Sequence, residues 1–170
     1  TMNPHLKEMN ADVLYHFGLD RTMDFPRMFG DVKVVCMGGS NDRMRSFAQT
    51  LATEIPEWNV DPRKLLLFGT MERFALYKVG PVLSVSHGMG IGSIRIMLHE
   101  ITKMLHHAGA RDFSYIRIGT CGGIGVEPGT VVLTEEALNP KLEANDEVVA
   151  LGKIHSYQTT FDRALPQALY

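Results

Sequence analysis

The sequence predicts an α/β fold, with a mixed, largely parallel central sheet flanked by helices. Three observations carry that prediction. Apolar, β-branched runs alternate with segments whose apolar residues recur at helical spacing, the mark of strands and helices taking turns along a chain. Three of the runs end in glycine-rich turns. With 45% hydrophobic residues, a chain of 170 residues also has enough apolar side chain for one sizeable core, so residues 1–170 are expected to form a single domain.

The chain begins with Val13-Leu14-Tyr15-His16-Phe17 between polar ends, followed by Gly18 and a charged stretch, and reads as an extended arm. His16 sits among apolar neighbours, the setting of a ring that packs while its nitrogens find backbone partners. The first buried strand is Val32 to Met37, and Gly38-Gly39-Ser40 turns it directly into a helix. Ser40 is a good N-cap, and Met44, Phe47, Ala48, Leu51 and Ile55 share one helical face. Exposed N–H groups and the positive end of the helix dipole at residues 39–43 make an anion site beside Arg43, although many α/β domains carry the same turn for packing alone. It is not a dinucleotide fingerprint, because Ser40 and Arg43 stand where the second and third glycines belong.

Residues 54–62 contain two prolines and read as a surface connection. Two strands follow, Phe74–Lys78 and Val82–Ser86, joined by a turn at Val79-Gly80-Pro81. Arg73 at the start of the first has the place of a solvated strand-end charge. The second strand enters another glycine turn, Ser86-His87-Gly88-Met89-Gly90-Ile91-Gly92, and then a helix expected to be capped by Ser93, with Ile94, Met97, Leu98, Ile101, Met104 or Leu105, and Ala108 on its apolar face. Gly109 stands where that helix should end. No metal site is predicted: Lys103 occupies the second histidine position of H-E-x-x-H after His99-Glu100, and the adjacent His106 and His107 point in different directions.

Ser114–Ile118 is the next strand, running into Gly119-Thr120-Cys121-Gly122-Gly123 and carrying Arg117. Arg117 has the planar fork that suits phosphate or carboxylate; the same pattern also describes an arginine paired with a core carboxylate beside a tight turn. Thr130–Thr134 reads as another buried strand, 141–146 as polar surface, Val148–Leu151 as a short strand, and Arg163–Tyr170 as the first turns of a helix. The abrupt end without a stop signal is what a part of a longer protein would be expected to show. Strand-end turns of a parallel sheet converge where such sheets bind ligands, and Arg43, Arg117 and the Thr120 hydroxyl beside them favour an oxyanion site over packing alone.

A net charge of −2 and a pI near 6.4 leave no electrostatic footprint for nucleic acid, and no basic run suggests a membrane surface. No apolar stretch approaches the roughly 20 residues of a bilayer span, and Thr1-Met2-Asn3-Pro4-His5 is not a secretory signal, so a cytoplasmic location is expected. Cys36 and Cys121 are expected to be reduced.

Several segments together resemble the nucleoside phosphorylase family, and within it the uridine phosphorylases of the animal type. They are Asp12 to Phe17, Phe29-Gly30-Asp31-Val32-Lys33, Gly38-Gly39-Ser40 with Arg43-Met44, Arg73 with Tyr77 to Pro81, Ser86-His87-Gly88-Met89-Gly90, Arg117-Ile118-Gly119-Thr120, Gly122 to Gly125, and Glu127 to Val132. The resemblance runs through about Gly152. It implies a nucleoside phosphorylase-like fold and reversible phosphorolysis of uridine to uracil and ribose 1-phosphate, with inorganic phosphate as co-substrate and no metal or organic cofactor. It assigns phosphate to Gly39, Arg43, Arg117, Ile118, Gly119 and Thr120, with Arg73 supplied by a neighbouring subunit, and makes Arg43, Arg73 and Arg117 the catalytic cations. His16 would cross the same interface toward the ribose, and Met89, Thr120, Cys121 and Gly122 would lie along the nucleoside. A homodimer or higher homo-oligomer with shared sites follows.

The sequence departs from the family pattern at Gly92, where Pro or Ala is usual, at Arg95, where a small residue is usual, and at Cys121, where Ser or Thr is usual. None of these removes a phosphate ligand. The family's uracil-reading Gln-x-Arg and ribose-holding Glu-Met-Glu elements belong to a C-terminal half beyond these residues, so the 170-residue chain by itself is not expected to turn over uridine. The alternatives are a non-catalytic phosphate- or nucleoside-binding module on the same fold and a purine-preferring nucleoside phosphorylase.

Overall fold

The computed structural model describes residues 12–69 and 73–169, so Thr1 to His5 and Tyr170 lie outside the described residues. The chain forms two compact units, Thr1–Thr120 and Cys121–Tyr170.

The first unit contains β1 (Val13–Leu14), β2 (Leu19–Asp20), α1 (Phe25–Phe29), β3 (Val34–Gly38), α2 (Asn41–Glu54), β4 (Leu76–Val79), β5 (Val82–Ser86), α3 (Ile91–His107) and β6 (Ser114–Arg117). Its central sheet has the order β4-β5-β3-β6, with β3 parallel to both β5 and β6 and β4 antiparallel to β5. The mixed, largely parallel sheet is therefore present. Alternation along the strands covers both of its faces, as a sheet between helices requires. Val35, Met37, Leu83 and Val85 join Met97, Ile101, Met104 and Leu105 of α3 in one cluster, while Cys36 and Val82 pack with Met44 of α2 in another. Burial pushes the Cys36 thiol up to about 11.

The helix ends follow their chemistry. Ser40 caps α2 by accepting from the Arg43 N–H at 3.3 Å. Gly109, at φ +71°, ends α3 in a Schellman turn: its N–H donates to the His106 carbonyl and the Ala110 N–H to the Leu105 carbonyl. The start of α3 differs from expectation. Its N-cap is Gly90, without a side-chain cap, and the Ser93 hydroxyl instead donates to the His87 carbonyl at 2.7 Å, tying the helix to the preceding turn. Nor is the first segment an extended arm. It doubles back as the β1–β2 hairpin and buries Leu14, Phe17 and Leu19 to 1% exposure or less. Its apolar residues outweigh its short length, because they join the same core cluster as Met97, Ile101, Met104 and Leu105 of α3.

The second unit is built on an antiparallel hairpin of β7 (Asn145–Ala150) and β8 (Lys153–Gln158), followed by α4 (Ala164–Leu169). Leu151 and Gly152 both have positive φ, the requirement of a two-residue turn that matches strand twist. The expected strand at Val148–Leu151 thus starts earlier and gains a partner, β8, that its mixed polarity hid. Thr130–Thr134 is not a buried strand; these residues are exposed coil, with Val131 85% exposed. Among the described residues no strand pairs with them, and an apolar run without a ladder partner has no reason to stay extended.

Candidate functional site

Because β3, β5 and β6 are parallel, their carboxyl ends lie at one edge of the sheet. Register places Met37 opposite both Val85 and Arg117, and the ladder extends a step further through His87 N–H to the Gly38 carbonyl and Ile118 N–H to the Met37 carbonyl. The glycine turns after the three strands therefore meet at this edge, the usual ligand position in open α/β sheets.

On the α2 side, polar bonds hold the helix start against the strand ends. The Ala75 N–H donates to the Ser86 hydroxyl at 2.8 Å, and that hydroxyl donates to Asn41 Oδ1 at 2.6 Å. The Ser84 hydroxyl donates to the Met44 carbonyl at 2.7 Å. With the helix fixed, Arg43 reaches across to the turn after β6, where its Nη2 donates to Thr120 Oγ1 at 3.5 Å. Free N–H groups of the first turn of α2, the helix dipole and the Arg43 cation thus share one spot.

Arg117 is exposed and folds back over its own turn: a Cβ on Gly119 would come within 3.0 Å of its Nη1. Among the described residues no carboxylate pairs with Arg117. The reading of Arg117 as a partner for a core carboxylate is thereby corrected: Arg117 is the last residue of β6, at the carboxyl edge of the sheet, and its guanidinium lies over the following turn with its residue exposed. Gly39 leaves the neighbouring space open, since a Cβ there would meet only Met89 Cε at 3.8 Å and the Gly88 carbonyl at 4.0 Å. Met89 itself is 83% exposed. Arg43, Arg117, Gly39, Gly119, Thr120 and Met89 are accordingly gathered at one sheet edge, with Ile118 among them as the last ladder residue.

His16 and Arg73 are grouped around Phe74, whose Cε1 would lie 4.0 Å from a Cβ on Gly88 in the turn after β5. The His16 ring lies 6.2 Å from the Phe74 ring, and the exposed Arg73 guanidinium sits over that ring at 5.5 Å. His16 does not depend on backbone partners, as its sequence setting suggests. Its Nδ1 is 2.6 Å from Glu100 Oε1, and the same carboxylate accepts the backbone N–H groups of His16 and Phe17, so α3 supplies a charged partner that local sequence does not reveal. Cys121 and Gly122 belong to the second unit, where both are exposed coil.

Sequence patterning does not single out His87, although it stands in the turn after β5. It is 6% exposed; its Nδ1 is 2.8 Å from the Gly88 carbonyl and its Nε2 is buried with no hydrogen-bond partner among the described residues. Burial depresses its pKa, the Gly88 carbonyl opposes that, and the nearby Arg117 cation depresses it further. The available signal is its two-residue spacing from Val85, but reading it requires the strand register.

Comparison with known proteins agrees with this architecture. Uridine phosphorylase 1 of Mus musculus is 50% identical over 168 residues, covering 98% of this chain and 54% of the mouse protein. Inactive uridine phosphorylase B of Schistosoma mansoni is 43% identical over 166 residues, covering 95% of this chain and 54% of that protein. The crystal structure of uridine phosphorylase from Schistosoma mansoni in complex with uracil superposes with a TM-score of 0.90 at 45% identity, covering 99% of this chain and 58% of that one. The chain spans about half the length of the curated relatives it matches. The family model described as the phosphorylase superfamily matches residues 33–170, and the chain belongs to that superfamily.

Proposed function

We propose that the protein carries out reversible phosphorolysis of uridine, giving uracil and ribose 1-phosphate. The observation that carries this is the meeting of Arg43, Thr120 and Arg117 at an open glycine edge, in a chain half identical to a uridine phosphorylase. In such a reaction the sugar passes through an oxocarbenium-like transition state, with an anionic nucleophile on one face and a departing base on the other. The protein's task is to hold phosphate in line and keep its charge compensated. Arg43, Arg117 and Thr120, with the backbone of Gly39, Ile118 and Gly119 lining the cradle, do so from one subunit, without metal or organic cofactor. Met89 and Thr120 of the first unit take the nucleoside.

Arg73 and His16 complete the site of a neighbouring subunit. The exposed Arg73 guanidinium over Phe74, with the half-buried His16 ring beside it, supports a homodimer or larger assembly with shared sites. The setting is the cytoplasm.

A second reading has its own support: an inactive uridine phosphorylase is 43% identical, so the fold also persists without catalysis. Phosphate-dependent release of uracil from uridine by a verified full-length preparation, followed by absorbance, decides between the two. Uracil release well above the rate of inosine cleavage is expected. Equal cleavage of inosine would overturn the specificity, and phosphate binding without turnover of any nucleoside would leave the binding-module reading.

A further inference from the structure

Resting on the phosphate reading of this edge, we propose that Nε2 of His87 accepts a hydrogen bond from the hydroxyl of bound protonated phosphate and so makes the site selective for a protonated oxyanion over sulfate. His87 follows Val85 by two positions, and Val85, Met37 and Arg117 are register partners; Val85 and Met37 belong to the cluster under α3. Alternation therefore sets His87 on the same sheet face as Arg117. Between them lies Gly39, two positions beyond Met37, where the absent side chain leaves a gap. An anion in that gap touches Arg117 on one side and His87 on the other.

Donor and acceptor chemistry then fixes the role of the ring. A carbonyl oxygen only accepts, so Nδ1 carries the proton that bonds the Gly88 carbonyl at 2.8 Å. In the neutral ring Nε2 is left with a lone pair, buried and unpartnered among the described residues. Such a group is costly unless a ligand donates to it. The rest of the edge is rich in donors: two guanidinium groups and the N–H groups at the start of α2. The nearby acceptors are already engaged, with the Gly38 carbonyl taking the His87 N–H, the His87 carbonyl taking the Ser93 hydroxyl, and Thr120 Oγ1 taking Arg43. Phosphate near neutral pH keeps at least one proton that needs an acceptor, whereas sulfate keeps none. A lone pair facing sulfate would be repelled.

Calorimetric titration of the purified protein with inorganic phosphate and with sulfate tests this. Wild type should bind phosphate at least about tenfold more tightly than sulfate, the scale of one hydrogen bond to a charged group. His87→Phe should bring the two affinities within about threefold of each other, while His87→Gln, which restores an acceptor oxygen, should retain most of the preference. A role in packing alone would weaken both anions together and leave their ratio unchanged. Equal affinities in wild type overturn the proposal without any variant, even if His87→Phe fails to fold. An unchanged ratio in folded His87→Phe overturns it as well. Loss of both anions in Arg117→Ala, with the ratio insensitive to His87, overturns only the histidine assignment; no binding of either anion to wild type overturns the phosphate site itself.

Discussion

Ile101 and Ile154 are the same residue in opposite settings. Ile101 in α3 has no exposed surface, whereas Ile154 in β8 is 68% exposed. The contrast extends across the two units. Thr1–Thr120 closes a core over both faces of its sheet, and even the short β1–β2 hairpin contributes Leu14, Phe17 and Leu19 to it. In Cys121–Tyr170, Val131, Val132, Val149, Leu151 and Tyr157 are all more than half exposed. An isoleucine in the sequence therefore specifies an appetite for burial, and the ladder and helices around it decide whether that appetite is met.

The largest way to break the comparison is Phe17→Ala. If residues 13–17 were an arm the change would be nearly silent; with Phe17 fully buried against Phe74 at 5.4 Å between ring centres, it should cost about 3–5 kcal/mol in a denaturant melt. Next, Arg117→Ala should leave folding intact, since its guanidinium is exposed, and lower kcat/KM for phosphate by roughly 10²–10³-fold in the active protein.

A smaller effect depends on pH. Asp12 is 2% exposed; burial opposes its charge, but hydrogen bonds from Lys103 at 2.5 Å and His107 at 2.7 Å outweigh it, and the net pKa is lowered. Because the folded value is depressed, the stabilisation is present above the unfolded value of 3.8 and is lost as pH falls through the folded one. Urea midpoints of wild type and Asp12→Ala should differ at neutral pH and converge below that value. The smallest effect is Ile154→Ala, within about 0.5 kcal/mol for an exposed site, apart from any assembly that covers it. A cost near that of Phe17→Ala would show that β8 is buried in solution.

Much of the first unit was legible because its patterns are local. Strand runs, the Ser40 cap and the Gly109 stop each need only a few neighbouring residues, and each appears where its chemistry puts it. The misreadings arose where a distant partner decides. Thr130–Thr134 has strand composition but no ladder partner among the described residues, whereas the polar β8 has one in β7. At the site, the glycine turns and cations could be picked out from sequence, but the contacts that organise them could not. Glu100 reaches His16 across 84 residues, and the relation of His87 to Arg117 exists only through the register of β3.

Hydrogen exchange with and without phosphate tests the central claim, an anion site at the carboxyl edge of the first unit, most directly. Phosphate should slow exchange at residues 39–43, 87–90 and 117–120 while leaving the β7–β8 hairpin unchanged, and Arg117→Ala should abolish that protection. Protection confined to 145–158, or none at saturating phosphate, would contradict it.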